Sequence, residues 1–250
     1  MLSQTTLTLF LILSFATLSH ANSESAYREE NTDFTFYEAK VLGEQKIFQL
    51  STSGGSAHGR AKLFDEASLP QATKWNGKFL QERFEKIRDE KIVKASNGEL
   101  KKASWLYPDD GCFARAAIAN RNAFHMLYPV PDKVFAFGNL RVKTANSPRG
   151  VVGWWYHVAP IVQVGGKKFV LDPAIDHGRP MELIEWLSAM GNPQKMKVSI
   201  CKSGSYSPGD SCDKETDGLE LRGLQTEKHY LKLEEIRMRT LGRSQELAAN

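Results

Sequence analysis

Residues 109–127 read DDGCFARAAIANRNAFHML, and this segment predicts the helix on which the interpretation of the whole chain rests. Its apolar residues recur at spacings of three and four, as in an amphipathic helix that packs on a core. An acidic residue before the run is a natural N-cap, so Cys112 is expected in the first helical turn. The predicted buried face consists of Phe113, Ala116, Ala117, Asn120, Phe124 and Leu127.

The predicted position of Cys112 suits a nucleophile. A thiol at the start of a helix feels the positive end of the helix dipole and unpaired backbone N–H groups, which favour the thiolate. The same N–H groups can bind an oxyanion. The alternative is an inert, buried cysteine that acts as a small hydrophobic residue, which is common in proteins.

Composition and charge exclude several classes of protein. The chain has 250 residues, of which 41% are hydrophobic and 25% are charged, so it is neither disordered nor fibrous. Its net charge of +4 is spread along the sequence without a basic block. We therefore expect a globular protein that has no nucleic-acid partner. We also expect a monomer.

The N-terminus predicts export. Residues 6–18 form an apolar run that is too short to span a bilayer, and Ser19-His20-Ala21 has the small residues of a cleavage site. We expect residues 1–21 to be a signal peptide, and the mature protein to be secreted or periplasmic with no membrane association. The alternative for the apolar run is a buried strand or helix.

The three cysteines are an odd number for an exported protein that pairs its cysteines. Cys201 and Cys212 flank a short loop that contains glycine and proline, so a local disulfide between them is the simplest prediction. Cys112 is then the free thiol.

The N-terminal part of the mature chain predicts β-structure followed by a boundary. Residues 34–41 and 46–50 are rich in aromatic and branched residues, which predicts two short strands. The small residues 51–57 predict a flexible loop. We therefore divide the mature chain into an N-terminal segment, residues 22–70, and a catalytic domain, residues 71–250.

Apolar periodicity predicts further helices in the catalytic domain. They cover residues 75–95, residues 182–190 and the C-terminal end of the chain. The predicted face of the C-terminal helix consists of Tyr230, Leu233, Ile236 and Leu241.

Residues 151–171 predict a β-hairpin that brings a histidine near a carboxylate. Gly165-Gly166 is a two-residue turn, so Val164 opposes Lys167. The same register places His157 opposite residue 174, and Asp172 becomes its diagonal neighbour on the same face. A three-residue turn would put the two side chains on opposite faces. Together with Cys112, they give the Cys-His-Asp order of a thiol acyl-transfer site.

Four motifs in this order resemble those of the bacterial protein-glutamine glutaminases. They are YPDDGCFARA at residues 107–116, FGNL at 137–140, WWYHVA at 154–159 and LDP at 171–173. Each motif alone is weak, but their order and spacing make the resemblance specific. It covers roughly residues 72–180.

This resemblance implies a fold and an activity. The implied fold is α+β, of the papain-like and transglutaminase-like kind, with the nucleophile at a helix N-terminus packed on an antiparallel sheet. The implied reaction hydrolyses the side-chain amide of glutamine in protein or peptide substrates, and no cofactor is expected. Cys112 matches the nucleophile, His157 the general base and acid, and Asp172 the orienting carboxylate. Residues 22–70 are implied to be an inhibitory pro-region, with a permanent β subdomain as the alternative.

Several alternatives remain open from the sequence. A transglutaminase or a papain-like protease would use the same three residues, and a secreted binding module would bury Cys112 without using it. A metal site formed by Cys112, His157, Asp172, Asp176 and His177 matches no familiar zinc spacing, so we expect no metal.

Four aromatic residues near the motifs are candidates for substrate binding. Trp105 and Tyr107 precede the nucleophile, and either substrate contact or packing suits them. Trp154 and Trp155 are neighbours on a strand, so they should point to opposite faces, one into the core and one toward the cleft; core packing of both is the alternative.

Overall fold

The computed structural model describes residues 36–50, 54–215 and 219–249. The predicted signal peptide, residues 1–21, and the start of the first predicted strand lie outside these residues. The strands are β1 (Lys62–Leu63), β2 (Val93–Lys94), β3 (Leu100–Lys101), β4 (Asp132–Lys143), β5 (Val151–Val164), β6 (Lys167–Val170), β7 (Met181–Glu182) and β8 (Lys197–Cys201). The helices are α1 (Phe36–Leu50), α2 (Ala57–Arg60), α3 (Leu80–Asp89), α4 (Cys112–His125), α5 (Leu183–Met190), α6 (Leu219–Thr240) and α7 (Glu246–Ala249).

An antiparallel sheet in the order β1-β8-β4-β5-β6-β7 is the centre of the α+β fold. Strand β4 is buried on both faces: Val134 and Ala136 pack with α5, whereas Phe135 and Phe137 pack with α4. This alternation follows from the two-residue period of a strand. The sheet is therefore covered by α5 on one side and by α4 on the other. None of the helices in the described ranges combines the length and apolar character needed to cross a membrane.

The predicted β5–β6 hairpin is confirmed. Val164 pairs with Lys167 across Gly165 and Gly166, whose φ angles of 55° and 89° are those of a tight two-residue turn. The ladder ends at the pair Ile161–Val170, so residue 174 does not pair with His157 as the extrapolated register predicted. After the ladder the chain turns at Asp172, whose carbonyl accepts hydrogen bonds from the two N–H groups of residues 175 and 176.

The prediction of two strands at residues 34–50 is wrong, because the described part of this segment forms helix α1. Its central residues are helix-forming Glu, Ala, Lys and Leu, and the aromatic residues that suggested strands lie toward its ends. Gly43, expected between the strands, lies within the helix against β5. A Cβ atom there would lie 2.5 Å from the Trp155 ring, so the glycine permits the close approach of α1.

Residues 54–64 form more structure than the flexible loop that was predicted up to residue 57. Ser56 caps α2 by accepting a hydrogen bond from the Gly59 N–H at 3.0 Å, and Ala57 is fully buried. Strand β1 pairs with β8, and the Phe64 N–H donates to the Met196 carbonyl. Residues 56–64 are thus built into the edge of the main sheet.

The predicted helices exist, but their bounds and faces differ. Helix α3 is shorter than residues 75–95, because a 3₁₀ turn at Gly77–Phe79 precedes it. Phe124 is exposed at the end of α4, and Leu127 lies beyond that end. On α6, Tyr230 is buried as predicted, but Ile236 is exposed.

The predicted disulfide between Cys201 and Cys212 is present, and Cys112 is the free cysteine among the described residues. Lys133 lies beside this disulfide, opposite Cys201 in the β4–β8 ladder. It is fully buried, and its Nζ donates to the Ser205 carbonyl at 2.7 Å. Burial lowers the pKa of Lys133 to about 7, and the charge of Asp210 opposes this shift.

Removal of the disulfide should destabilise the fold. For the double variant Cys201→Ser/Cys212→Ser we expect a loss of about 3 kcal/mol, because the unfolded chain regains the freedom of the cross-linked loop. Calorimetry of the variant and of the reduced wild type should give the same lowered Tm. An unchanged Tm in both samples would contradict the prediction.

Lys133 should make stability depend on pH in a defined direction. Below about pH 7 it is charged in both the folded and the unfolded chain, so the full cost of burying the charge is present. Between there and the ordinary lysine pKa of about 10.4, the unfolded chain binds more protons, so stability rises with pH. Lys133→Met removes this dependence. The difference between its Tm and the wild-type Tm should therefore decrease as the pH is raised from about 6 to about 9.5. Lys143→Met, on the exposed part of β4, is the control and should show no such trend.

Candidate active site

Helix α4 begins at Cys112. The preceding Gly111 has a φ of 80°, a conformation that favours glycine, and this sharp turn starts the helix. The acidic N-cap that was predicted is not formed: the Asp110 carboxylate accepts a hydrogen bond from the Gly111 N–H at 2.7 Å instead. In the described chain no side chain caps α4, so its first N–H groups are available at the position of the thiol.

The segment before Cys112, residues 104–111, is called the nucleophile loop. Arg115, one turn into α4, is buried and donates from Nη1 to the carbonyls of Tyr107 at 2.9 Å and Asp110 at 2.7 Å. The loop is thereby tied to the helix that it starts.

His157 and Asp172 meet in the interior beside the sheet. The His157 Nε2 atom lies 2.8 Å from the Asp172 Oδ2 atom, and the side chains are 1% and 6% exposed. The same carboxylate accepts hydrogen bonds from the Trp186 Nε1–H at 2.9 Å and from the Ala174 N–H at 3.2 Å. These contacts hold one carboxylate oxygen toward the imidazole.

Trp186 is the member of this site that sequence reasoning missed. It lies on α5, whose buried face also contains Leu183, Leu187 and Met190. From the sequence it is one more apolar residue of an amphipathic helix, and only the packing of α5 on the sheet brings its N–H group to Asp172.

The His157 ring lies between two indole rings. Trp154 stacks on it at a centroid distance of 4.5 Å and Trp186 at 5.6 Å. Trp154 also donates to the carbonyls of Pro108 and Asp109 at 3.0 and 3.1 Å, which connects β5 to the nucleophile loop. Trp154 and His157 are three residues apart, and in a regular strand they would point to opposite faces. They stack on each other here, where the β4–β5 register is interrupted between Phe137 and Leu140, beside Trp154.

The charges of His157 and Asp172 stabilise each other. Burial alone would lower the pKa of His157, but the charge of Asp172 and its hydrogen bond raise that pKa above its ordinary value. Burial would raise the pKa of Asp172, whereas the His157 charge and the hydrogen bonds from His157 and Trp186 lower it. The pair therefore favours an imidazolium beside a carboxylate.

The second ring nitrogen of His157 is not used by Asp172. Nδ1 is buried and has no nitrogen or oxygen partner among the described residues, since Asp172 binds Nε2. The Cys112 thiol contributes to the raised pKa of His157 through a hydrogen bond and through its charge. Cys112 and Asp172 thus both lie near enough to His157 to raise its pKa.

The other predicted site residues are buried. Trp105 donates to the Arg88 carbonyl at 2.9 Å, and Tyr107 packs beside Tyr230, so packing describes both better than substrate contact. Trp154 and Trp155 belong to different core clusters, on opposite sides of the sheet, as predicted. Trp155 is covered by α1 and does not line an open cleft.

A metal centre finds no support in the described residues, where no group of three or more His, Cys, Asp or Glu side chains is arranged to hold an ion. Burial lowers the pKa of His177, and the positive charges of Arg88 and Lys102 lower it further.

Comparison with known proteins gives one family and several solved structures. A family model described as glutaminase matches residues 80–190. A crystal structure of protein-glutaminase has a TM-score of 0.48 and 22% identity, covering 64% of this chain and 91% of that chain. The NMR structure of protein-glutaminase from Chryseobacterium proteolyticum has a TM-score of 0.45 and 21% identity, covering 62% and 85%. A crystal structure of pro-protein-glutaminase has a TM-score of 0.44 and 22% identity, covering 63% and 58%. No curated protein matches the sequence.

The residues matched by the family model include helix α4, the β5–β6 hairpin and α5, and so contain Cys112, His157, Asp172 and Trp186. Over residues 80–190, the chain is therefore similar to the family described as glutaminase.

Proposed function

We propose that the protein is a secreted or periplasmic protein-glutamine glutaminase, which hydrolyses the side-chain amide of glutamine in protein substrates to glutamate and ammonia. The observation that carries the proposal is the buried His157–Asp172 hydrogen bond, together with a thiol at the start of α4 that contributes to the raised pKa of His157. The family match over the same residues supports this choice of reaction. The proposed fold type is papain-like and transglutaminase-like.

The first half of the proposed reaction forms a thioester. The Cys112 thiolate attacks the carboxamide carbon, and the N–H groups at the start of α4 stabilise the negative charge on the oxygen. The imidazolium of His157 gives its proton to the departing nitrogen, the C–N bond breaks and ammonia leaves. Asp172 stabilises the imidazolium and keeps Nδ1 directed to the reaction.

The second half hydrolyses the thioester. Neutral His157 removes a proton from water, whose oxygen attacks the thioester carbon. The C–S bond then breaks, glutamate forms, and the thiolate and imidazolium are restored. A lysine amine in place of water would give a cross-link, and a backbone amide in place of the side-chain amide would give peptide cleavage.

Export and processing are part of the proposal. The Cys201–Cys212 disulfide supports an oxidising compartment, as expected after removal of residues 1–21. If residues from 22 onward include a pro-region, we place its end before Ser56 rather than at residue 70, because residues 56–64 belong to the main sheet.

Loss of the thiol or of the imidazole should abolish the activity. We expect Cys112→Ala and His157→Gln each to lower kcat/KM for ammonia release from a glutamine-rich protein by at least about a thousandfold. The control is His125→Gln, at the exposed far end of α4, which should keep wild-type activity. Mass spectrometry of the product should show conversion of amide to acid; cross-linked or cleaved products would indicate one of the two alternative reactions. Full activity of Cys112→Ala would refute the mechanism.

Trp186→Phe tests the support of the carboxylate. The phenyl ring can still pack near His157, but the hydrogen bond to Asp172 is lost, so the pKa of Asp172 should rise. We expect kcat to fall about tenfold, equal to about 1.4 kcal/mol, and the acid limb of the kcat/KM profile to move to higher pH.

The matched control for this variant is Trp75→Phe. It removes an indole hydrogen bond, to the Pro129 carbonyl at 2.7 Å, in a different core cluster from that of Trp186. An equal change in the pH profile of both variants would contradict the role of Trp186.

A further inference from the structure

One face of α6 lies along the nucleophile loop. The residues that contact the loop are spaced by three and four along the helix, so they share one side of it. They are Glu227, Tyr230, Glu234 and Arg237. This helix lies outside residues 80–190, which the family model matches.

Two buried carboxylates of α6 bind backbone N–H groups of the loop. Glu227 is fully buried, and its Oε1 accepts hydrogen bonds from the N–H and the hydroxyl of Ser104, both at 2.5 Å. Glu234 is 2% exposed, and its Oε1 accepts from the Leu106 N–H at 2.7 Å. A buried carboxylate is costly unless it is well hydrogen-bonded, so both side chains require the loop to keep its conformation.

The remaining two residues hold the part of the loop nearest Cys112. A Cβ atom on Gly111 would lie 2.7 Å from the Tyr230 ring, so this ring leaves no room for a side chain at the start of α4. Arg237 donates to the Asp109 carboxylate at 2.5 Å and to the Asn146 carbonyl at 2.9 Å. Its guanidinium also lies over the Tyr107 ring, 5.1 Å from the centroid.

Arg115 of α4 binds the same loop. Its Nη1 binds loop carbonyls, whereas α6 binds loop N–H groups, so both kinds of backbone group are paired. Burial raises the pKa of Glu227, and the positive charge of Arg115 opposes this, so the two side chains also interact electrostatically. The loop is thus held between α4 and α6.

We propose that α6 positions the nucleophile: Glu227, Glu234 and Arg237 act as positioning residues that hold the nucleophile loop so that Cys112 meets His157. None of the three touches the reacting atoms. The proposal rests on the proposed function only for the pairing of Cys112 with His157, and it assigns a role in catalysis to the last long helix of the chain.

The experiment compares Glu234→Ala, Glu234→Gln and the control Glu235→Ala. Glutamine keeps an oxygen that can accept the Leu106 N–H, whereas alanine does not. Glu235 is the next residue along α6, but its side chain is 47% exposed and pairs with Arg239. Each variant is measured for Tm, for kcat and KM with a glutamine-containing peptide, and for the rate of Cys112 alkylation by iodoacetamide at about pH 6 and 9.5.

Misplacement of the thiol should show in a specific pattern. We expect Glu234→Ala to lower kcat about tenfold with KM within about twofold. Its alkylation rate should fall about tenfold near pH 6, where reaction needs the thiolate paired with His157, and stay within about twofold near pH 9.5, where thiols ionise unaided. Glu234→Gln should recover most of both losses, and Glu235→Ala should match the wild type. A folded Glu234→Ala with wild-type kcat and alkylation rates would overturn the proposal.

Arg237→Met provides a second test if Glu234→Ala does not fold. Arg237 is partly exposed, and its loss should lower kcat and the alkylation rate near pH 6 by about fivefold each. Wild-type values for a folded Arg237→Met would overturn the proposal in that case.

The design separates the two hypotheses. If the wild type deamidates no glutamine substrate but alkylation near pH 6 depends on Glu234, the proposed function fails and the positioning role stands. If deamidation occurs with no effect of Glu234 or Arg237, the positioning role fails alone. A wild-type thiol that does not react near pH 6 would also overturn the positioning role, because there would be no activated pair to position.

Discussion

The hydrogen bond between His157 and Asp172 is formed almost entirely out of contact with solvent, at 2.8 Å. Taking two charged groups out of water costs several kcal/mol per ion, and the attraction between them compensates only if the geometry is good and the remaining polar atoms are bonded. Trp186 and the Ala174 N–H complete the shell of the carboxylate. The rest of the proposed site depends on this pair, because Asp172 binds Nε2 and leaves Nδ1 without a hydrogen bond among the described residues.

The sheet and the helices that cover it bring His157 and Asp172 together. The hairpin delivers His157 on β5 and Asp172 just after β6, and α5 returns across the same face with Trp186. Cys112, the proposed nucleophile, lies at the start of the helix on the other face, α4. Trp154 connects the two parts, because it stacks on His157 and binds two carbonyls of the nucleophile loop. The stacked indole rings also restrict rotation of the imidazole.

Much of the site could be predicted from the sequence, because its signals are local. A two-glycine turn sets the register of a hairpin within a few residues, and this was enough to bring His157 and Asp172 to one neighbourhood. A helix that starts at Cys112 follows from apolar periodicity, and the disulfide follows from two cysteines eleven residues apart. The contact itself was not predicted correctly. The β5–β6 ladder ends before residue 172, and a turn at Asp172 brings its carboxylate to His157.

The sequence by itself determined the hairpin, the helix that starts at Cys112 and the pairing of the cysteines, since each depends on neighbours along the chain. Only the tertiary structure decided what surrounds them. Residues predicted to be strands form helix α1, which packs against Trp155. Trp186, on the apolar face of its helix, donates a hydrogen bond to the Asp172 carboxylate. It also buried Glu227 and Glu234, whose charge by itself predicts exposure to solvent. Such carboxylates are buried only where backbone N–H groups of a distant segment meet them, and periodicity carries no information about that partner.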